Sequence, residues 1–191
     1  MRRAIGMCEL KTVSAGVSAA DMMVKTAEVD ILEAKVVCPG KYLVLIAGEL
    51  SAVRASVDTV LAKYGDQLLD HFVLGNPHES LFGAIYGANE VGQPDALGVL
   101  ETFSAAAAVV AADVAAKTAM VSLIELRLAR GMCGKSYLFL TGSVSAVTAA
   151  IERAEKEVGQ NGMLLDSSII GFFLCQRLNP HLLLGRWILY H

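Results

Sequence analysis

Cysteine is the residue type in this chain with the most distinctive chemistry, and Cys38 has the most particular setting. It sits in the segment Val36-Val37-Cys38-Pro39-Gly40-Lys41, between the apolar runs Asp30 to Val37 and Lys41 to Ala47. Proline and glycine favour a tight turn between two such runs, so the thiol is expected at the tip of a β-hairpin. A thiolate there has two metal chemistries open to it, zinc and iron–sulfur ligation. The alternative is a plain free thiol. The other cysteines, Cys8, Cys133 and Cys175, are scattered, with no Cys-x-x-Cys pair and no Cys/His cluster. One chain therefore offers no closed zinc site, and a metal would need ligands from several chains. Cys8 lies in an apolar run and reads as core. Cys175 carries no assignment.

Other chemistries are weaker. Ala129 to Ser136, ARGMCGKS, matches a relaxed phosphate-loop pattern. That chemistry needs a helix after the loop, with its N-terminus facing the phosphate, whereas SYLFLTG reads as a strand. ATP binding is excluded on that ground, and Lys41 and Lys135 read as strand starts. His71, His78, His181 and His191 form no constellation, and no Ser/His/Asp or Cys/His arrangement is legible, so no enzyme is expected.

The elements that must place Cys38 are written twice. Residues 4–38 align with 96–130 at an offset of 92, and after the hairpin tip the offset becomes 94. Gly6/Gly98, Glu9/Glu101, Asp21/Asp113, Lys25/Lys117, Glu33/Glu125, Gly40/Gly134 and Lys41/Lys135 all correspond. The second copy has two extra residues within Arg130 to Cys133. Such internal similarity marks duplicated structural units. It also explains the Glu9/Glu101 pair better than acid–base catalysis does.

Within a copy the expected order is a strand over Ala4 to Leu10, a helix over Ser14 to Thr26 and the hairpin. A helix from an N-cap at Ser51 to about Lys63 follows, then a strand over Leu68 to Leu74. Val17, Ala20, Met23 and Val24 have helical apolar spacing. Glu79 to Tyr86 reads as a short helix, and Asn89 to Asp95 as a linker. The order β-α-β-β-α-β is ferredoxin-like, an α/β (α+β) fold. The domains are placed at 1–91 and 95–191, with a divergent tail from about residue 169.

Composition bounds the function. The chain of 191 residues is 54% apolar, with a mean hydropathy of +0.52. No run approaches the roughly 18–20 apolar residues of a spanning helix. Ala105 to Ala116 is mostly alanine and is cut by Asp113. A self-associating soluble protein with no membrane partner is expected. The net charge is −3 with no basic stripe, which argues against nucleic acid. The start MRRAIGMCEL does not read as a signal peptide, so a cytoplasmic protein with reduced thiols is expected.

A duplicated unit carrying AIGMCEL, AADMMVKTAEVDIL and PGKYLVLIAGEL resembles the bacterial microcompartment shell domain. Two in one chain resemble the tandem-domain shell proteins, and VVCPGK is most similar to the propanediol-utilisation T type. The resemblance covers about residues 3–168. A Pro-Arg-Pro-His-like segment that this type has after the last strand is absent. The resemblance implies a pseudo-hexameric homotrimer, tiling edge to edge with other shell proteins around enzymes. It implies a central pore lined by the two hairpin loops, here Val37, Pro39 and Gly40, with Arg130, Gly131, Met132, Cys133 and Gly134. It also implies that Cys38 from three chains holds one [4Fe-4S] cluster on the three-fold axis, serving an encapsulated redox enzyme. Backbone N–H groups at the tip would tune such a cluster. Lys25 and Lys117, joined by Asn76 and His78, would lie at tile edges. Two other readings stand beside this one: a metal-free shell pore for metabolites, and a soluble ferredoxin-like small-molecule-binding protein.

Overall fold

The computed structural model describes residues 4–90 and 95–171. Cys175, His181, His191, the tail after Gly171 and the Val91–Pro94 part of the expected linker lie outside the described residues. In chain order the first copy comprises β1 (Ala4–Leu10), α1 (Val13–Thr26), β2 (Val29–Val37), β3 (Lys41–Gly48), α2 (Leu50–Tyr64) and β4 (Leu68–Gly75). A short helix, α3 (Ser80–Tyr86), follows. The second copy comprises β5 (Ala96–Thr102), α4 (Ala105–Thr118), β6 (Ser122–Arg127), β7 (Ser136–Gly142), α5 (Val144–Gly159) and β8 (Leu164–Ile170).

Each copy forms a four-stranded sheet, in the orders β2-β3-β1-β4 and β6-β7-β5-β8. These are the ferredoxin-like orders expected from β-α-β-β-α-β. The repeat extends to irregularities. The β1–β4 ladder shifts register between Glu9 and Leu10, and the β5–β8 ladder between Glu101 and Thr102. The β2–β3 ladder shifts between Ile31 and Glu33, and the β6–β7 ladder between Leu123 and Glu125. Bulges of this kind re-aim the side chains beside them.

The chain forms two compact units. The first holds the first sheet, up to Pro77, with Phe103–Val110 and Leu128–Ser136. Its helical face packs Ala4, Cys8, Leu10, Val44 and Ile46 against Ala19, Met23, Val53 and Val57. Gly6 and Gly16 allow this closeness, since a side chain at either would collide with Val53 or with Tyr42. The opposite face, with Ile5, Met7, Leu43 and Leu45, is fully buried as well. The second unit holds His78–Thr102, Ala111–Arg127 and the chain from Tyr137. There α3 packs on the edge strand β6, and Asn89 Nδ2 donates to Leu123 O at 2.8 Å. That bond occupies a carbonyl of an edge strand, which is otherwise open to unwanted pairing.

Three expectations are corrected. Helix α2 starts at Leu50 with Glu49 at its N-cap and no side-chain cap, so Ser51 is not the cap. The equivalent position in α5 is Ser143, whose hydroxyl does accept Ala146 N–H at 3.3 Å. The first helix starts one residue earlier than expected, because Thr12 Oγ1 accepts Ala15 N–H at 3.3 Å. Of its expected apolar stripe, Ala20 and Met23 are buried, while Val17 and Val24 are exposed. Cys8 is fully buried, as its apolar run suggested.

Candidate functional site

Cys38 stands at the tip between β2 and β3, in a turn that exposes it together with Pro39 and Gly40. The Cys38–Pro39 peptide bond is cis, and Gly40 has φ +108°. A Cβ on Gly40 would meet nothing within 4 Å, so the tip faces open space. Gly40 N–H donates to Val37 O at 2.9 Å, which closes the turn.

The tip is held from behind by the second copy's loop, which belongs to the same compact unit. Cys38 N–H donates to Ala129 O at 3.2 Å. Ala129 has φ +52°, and its own N–H donates to Ser136 Oγ at 3.0 Å. Gly134, at φ +85°, lies so close that a Cβ there would be 2.7 Å from Lys41 Nζ and 3.1 Å from Cys38 O. Only glycine combines that φ with that clearance. Lys41, the first residue of β3, reaches Gly134 O at 3.4 Å and Glu9 Oε1 at 2.9 Å. Glu9 is fully buried, and its other oxygen accepts Ala105 N–H at 2.9 Å. A buried carboxylate needs such partners. One network therefore joins β1, β3, the start of α4 and the second loop beneath the tip. The N–H groups of Cys38 and Gly40 are engaged inward, so they do not serve a group outside the tip as the sequence had suggested.

An open cavity of about 310 Å³ lies beside the thiol, lined on both sides by Lys35, Val37, Pro39, Arg130 and Gly131. Lys35 pairs with Glu33. Cys133 is exposed in the second loop at φ +52°. Lys135 N–H donates to Met132 O at 3.1 Å within the same loop. Among the described residues, no group of three or more His, Cys, Asp and Glu could hold a metal ion. The donor at the tip is of the right kind for an iron–sulfur cluster, which takes thiolates. Its number is not, unless copies of the tip converge.

The other expected residues fall into two places. Lys25 ends α1 and pairs with Asp21 at 2.7 Å in the open, 72% exposed. Lys117 ends α4 and pairs at 2.6 Å with Asp113, which is nearly buried. The second oxygen of Asp113 accepts His78 N–H at 2.8 Å, so His78 and Lys117 share one carboxylate. His78 Nδ1 lies 2.7 Å from Ser80 Oγ. Asn76 follows β4 at φ +60°. Sequence reasoning gave no role to Glu9, Asp113 and Ser104. The signal was present, since Glu9 and Asp21 recur as Glu101 and Asp113, but recurrence does not say which copy is buried.

A BMC-domain family profile matches residues 4–77 and 96–171. The bacterial microcompartment shell protein PduT of Citrobacter freundii is 40% identical over 170 residues, covering 89% of this chain and 92% of that protein. The carboxysome shell protein CcmK2 of Synechococcus elongatus is 37% identical over 82 residues, 41% of this chain and 80% of that protein. A crystal structure of a microcompartment protein from Desulfitobacterium hafniense superposes with a TM-score of 0.81 at 41% identity, covering 95% of this chain and 98% of that one. A fused permuted hexameric shell protein of the RMM microcompartment shares the fold, with a TM-score of 0.62 at 22% identity.

Proposed function

The chain belongs to the BMC-domain family and is a structural shell protein of a bacterial microcompartment, and we propose that its tile is a homotrimer whose three Cys38 thiolates hold one [4Fe-4S] cluster on the three-fold axis. The observation that carries this is the Cys38 tip itself. Its thiol is exposed, its turn faces open space, and it is fixed from behind. A single donor so placed becomes three when a symmetry axis repeats it. Bound there, the cluster supplies one-electron redox chemistry. Three thiolates would leave one iron to a non-protein ligand.

The chain's own residues do the rest. Pro39 and Gly40 carry the thiol outward, while Ala129, Gly134 and Lys41 stop the tip from receding. Arg130 places positive charge at the cavity, the charge of Lys35 being offset by Glu33, and this favours an anionic centre. Val37 and the loop Arg130, Gly131, Met132 and Cys133 line the approach. The tile works in the cytoplasm, passing electrons or delivering a cluster across the shell to an encapsulated redox enzyme. Lys25 and Lys117, with Asn76 and His78, lie at tile edges and meet other BMC shell proteins. Their methylene stems pack flat while the ammonium finds carbonyls. Among the described residues, no helix is long and apolar enough to cross a membrane.

The test is a pair of variants purified without oxygen. Cys38→Ser is expected to assemble as before and to lose its iron, its acid-labile sulfide and its brown colour. Cys133→Ser is expected to keep all three. Full iron in Cys38→Ser would remove the ligand assignment. A wild type that takes up no iron after anaerobic reconstitution would make metabolite passage through the pore the function.

A further inference from the structure

Cys38 has a second exposed thiol for a neighbour. Among the described residues, Cys8 is buried, whereas Cys38 and Cys133 are both exposed and free. Cys38 stands at the first hairpin tip and Cys133 in the second loop, and the two loops belong to one compact unit. They touch on both sides of Cys133. Before it in the chain, Ala129 O accepts Cys38 N–H at 3.2 Å. After it, Gly134 lies so near that a Cβ there would be 3.1 Å from Cys38 O. Consecutive Cα atoms are about 3.8 Å apart, which puts the Cα of Cys133 within about 11 Å of the Cα of Cys38. A disulfide needs them within roughly 7 Å, so a loop shift of about 4 Å at most brings the pair together.

The second loop is built to make such a shift. Cys133 has φ +52°, a conformation unfavourable for a residue with a Cβ, so its backbone loses little by moving. Gly131 is near it in the chain at φ +72°, and a Cβ there would meet nothing within 4 Å. The open cavity beside Cys38 carries Arg130, whose charge draws an anionic reagent to the thiol.

We propose that Cys38 and Cys133 of one chain form a thiol pair that a small anionic disulfide oxidises to an internal disulfide, withdrawing Cys38 from iron for as long as that bond lasts. The Cys38 thiolate attacks one sulfur of the small disulfide. The S–S bond of the reagent breaks, one thiolate leaves, and a mixed disulfide stands on Cys38. The Cys133 thiolate then attacks the Cys38 sulfur, and the second small thiolate leaves. The two protons given up by the cysteines go to the two departing thiolates. Two cysteine thiols are thereby oxidised by two electrons, and one small disulfide is reduced to two thiols. A small dithiol runs the exchange backwards. Only the consequence for iron rests on the ligand reading of Cys38: a cluster takes thiolates, so the oxidised tip accepts none and the reduced tip does.

Mass spectrometry of the full, cluster-free chain after treatment with glutathione disulfide tests it. The wild type is expected to become two hydrogens lighter, with no glutathione attached, and peptide mapping without reduction should show Cys38 joined to Cys133. Cys133→Ser should stop at the mixed disulfide, one glutathione heavier at Cys38. A wild type that stops at the same adduct as Cys133→Ser would overturn the pair. So would chains covalently linked to one another on a non-reducing gel, since the bond would then lie between chains. The oxidised wild type should take up no iron with sulfide until dithiothreitol is added, and full uptake before reduction would overturn the switch. A wild type that forms the internal disulfide but takes up no iron when reduced would overturn the cluster reading and the switch with it, and leave the thiol pair standing.

Discussion

The two hairpin loops arose from one sequence and now do different work. The first is short, ends in Cys38-Pro39-Gly40 and faces open space. The second is two residues longer, and Ala129, Cys133 and Gly134 all take positive φ within it. Those turns bring Ala129 O and Gly134 against the back of the first tip. Duplication let one loop become the support of the other. A single-domain shell protein, in which every loop is the same, has no separate loop to give to that task. The same division separates Glu9, buried and doubly engaged, from Glu101 at the matching place.

The largest effect expected from breaking this comparison is at Glu9. Glu9→Ala leaves Lys41 without its partner and Ala105 N–H without an acceptor. Removing one side of a buried pair costs roughly 3 kcal/mol or more, read as a lower urea midpoint. Glu101→Ala, at the half-buried matching place, is expected to lower the midpoint by less. Equal losses would mean that the two copies are not differently used.

Gly134→Ala is the next in size. It combines a left-handed φ with a collision against Lys41 and Cys38 O, at a cost of about 1–3 kcal/mol. The sharper readout is the thiol: alkylation of Cys38 in cluster-free protein should quicken as the tip comes loose. Gly40→Ala meets only the strain of its φ, since its surroundings are empty, and should leave the support intact. An unchanged alkylation rate in Gly134→Ala would show that the second loop does not hold the first.

Smaller again is the contrast between Lys25 and Lys117. Lys117→Ala removes a partner from nearly buried Asp113 and is expected to cost about 1 kcal/mol. Lys25→Ala breaks an exposed pair and should fall within about 0.5 kcal/mol, while weakening sheets of tiles. Equal losses in urea would erase the distinction between the two ion pairs.

The mildest contrast is among thiols. Burial pushes the Cys8 thiol up to about 12 from its ordinary value of 9.0. The native chain therefore keeps the proton on Cys8 where the unfolded chain has released it. Its contribution to stability is unchanged below pH 9 and falls as pH rises from 9 towards 12. At pH 8 native, cluster-free protein should be alkylated at Cys38 and Cys133 and spared at Cys8, with Cys8 reacting only in denaturant. Peptide mapping reads this directly, and early modification of Cys8 would contradict its burial.

Most of the fold was legible because its signals are local and periodic. The strands were apolar runs bounded by turn residues, and the repeat doubled each signal. The helix starts were less legible. Thr12 caps α1 by a hydroxyl that looks like any other, and Glu49 holds the N-cap position of α2 without capping. At the site, Cys38 could be placed at a tip from Pro39 and Gly40 alone. What stood behind it could not, because Glu9, Lys41, Ala105 and Gly134 are brought together by long-range packing that leaves no trace in spacing. Helix α4 shows the same limit. Its sequence mirrors α1, yet its first turns are buried all round, since Phe103–Val110 packs in the unit built on the first sheet.

The most direct test of three chains meeting at Cys38 is native mass spectrometry of protein purified without oxygen and reconstituted with iron and sulfide. The account predicts a three-chain particle heavier than its polypeptide by one Fe4S4 unit. A three-chain particle that carries no added mass would contradict it.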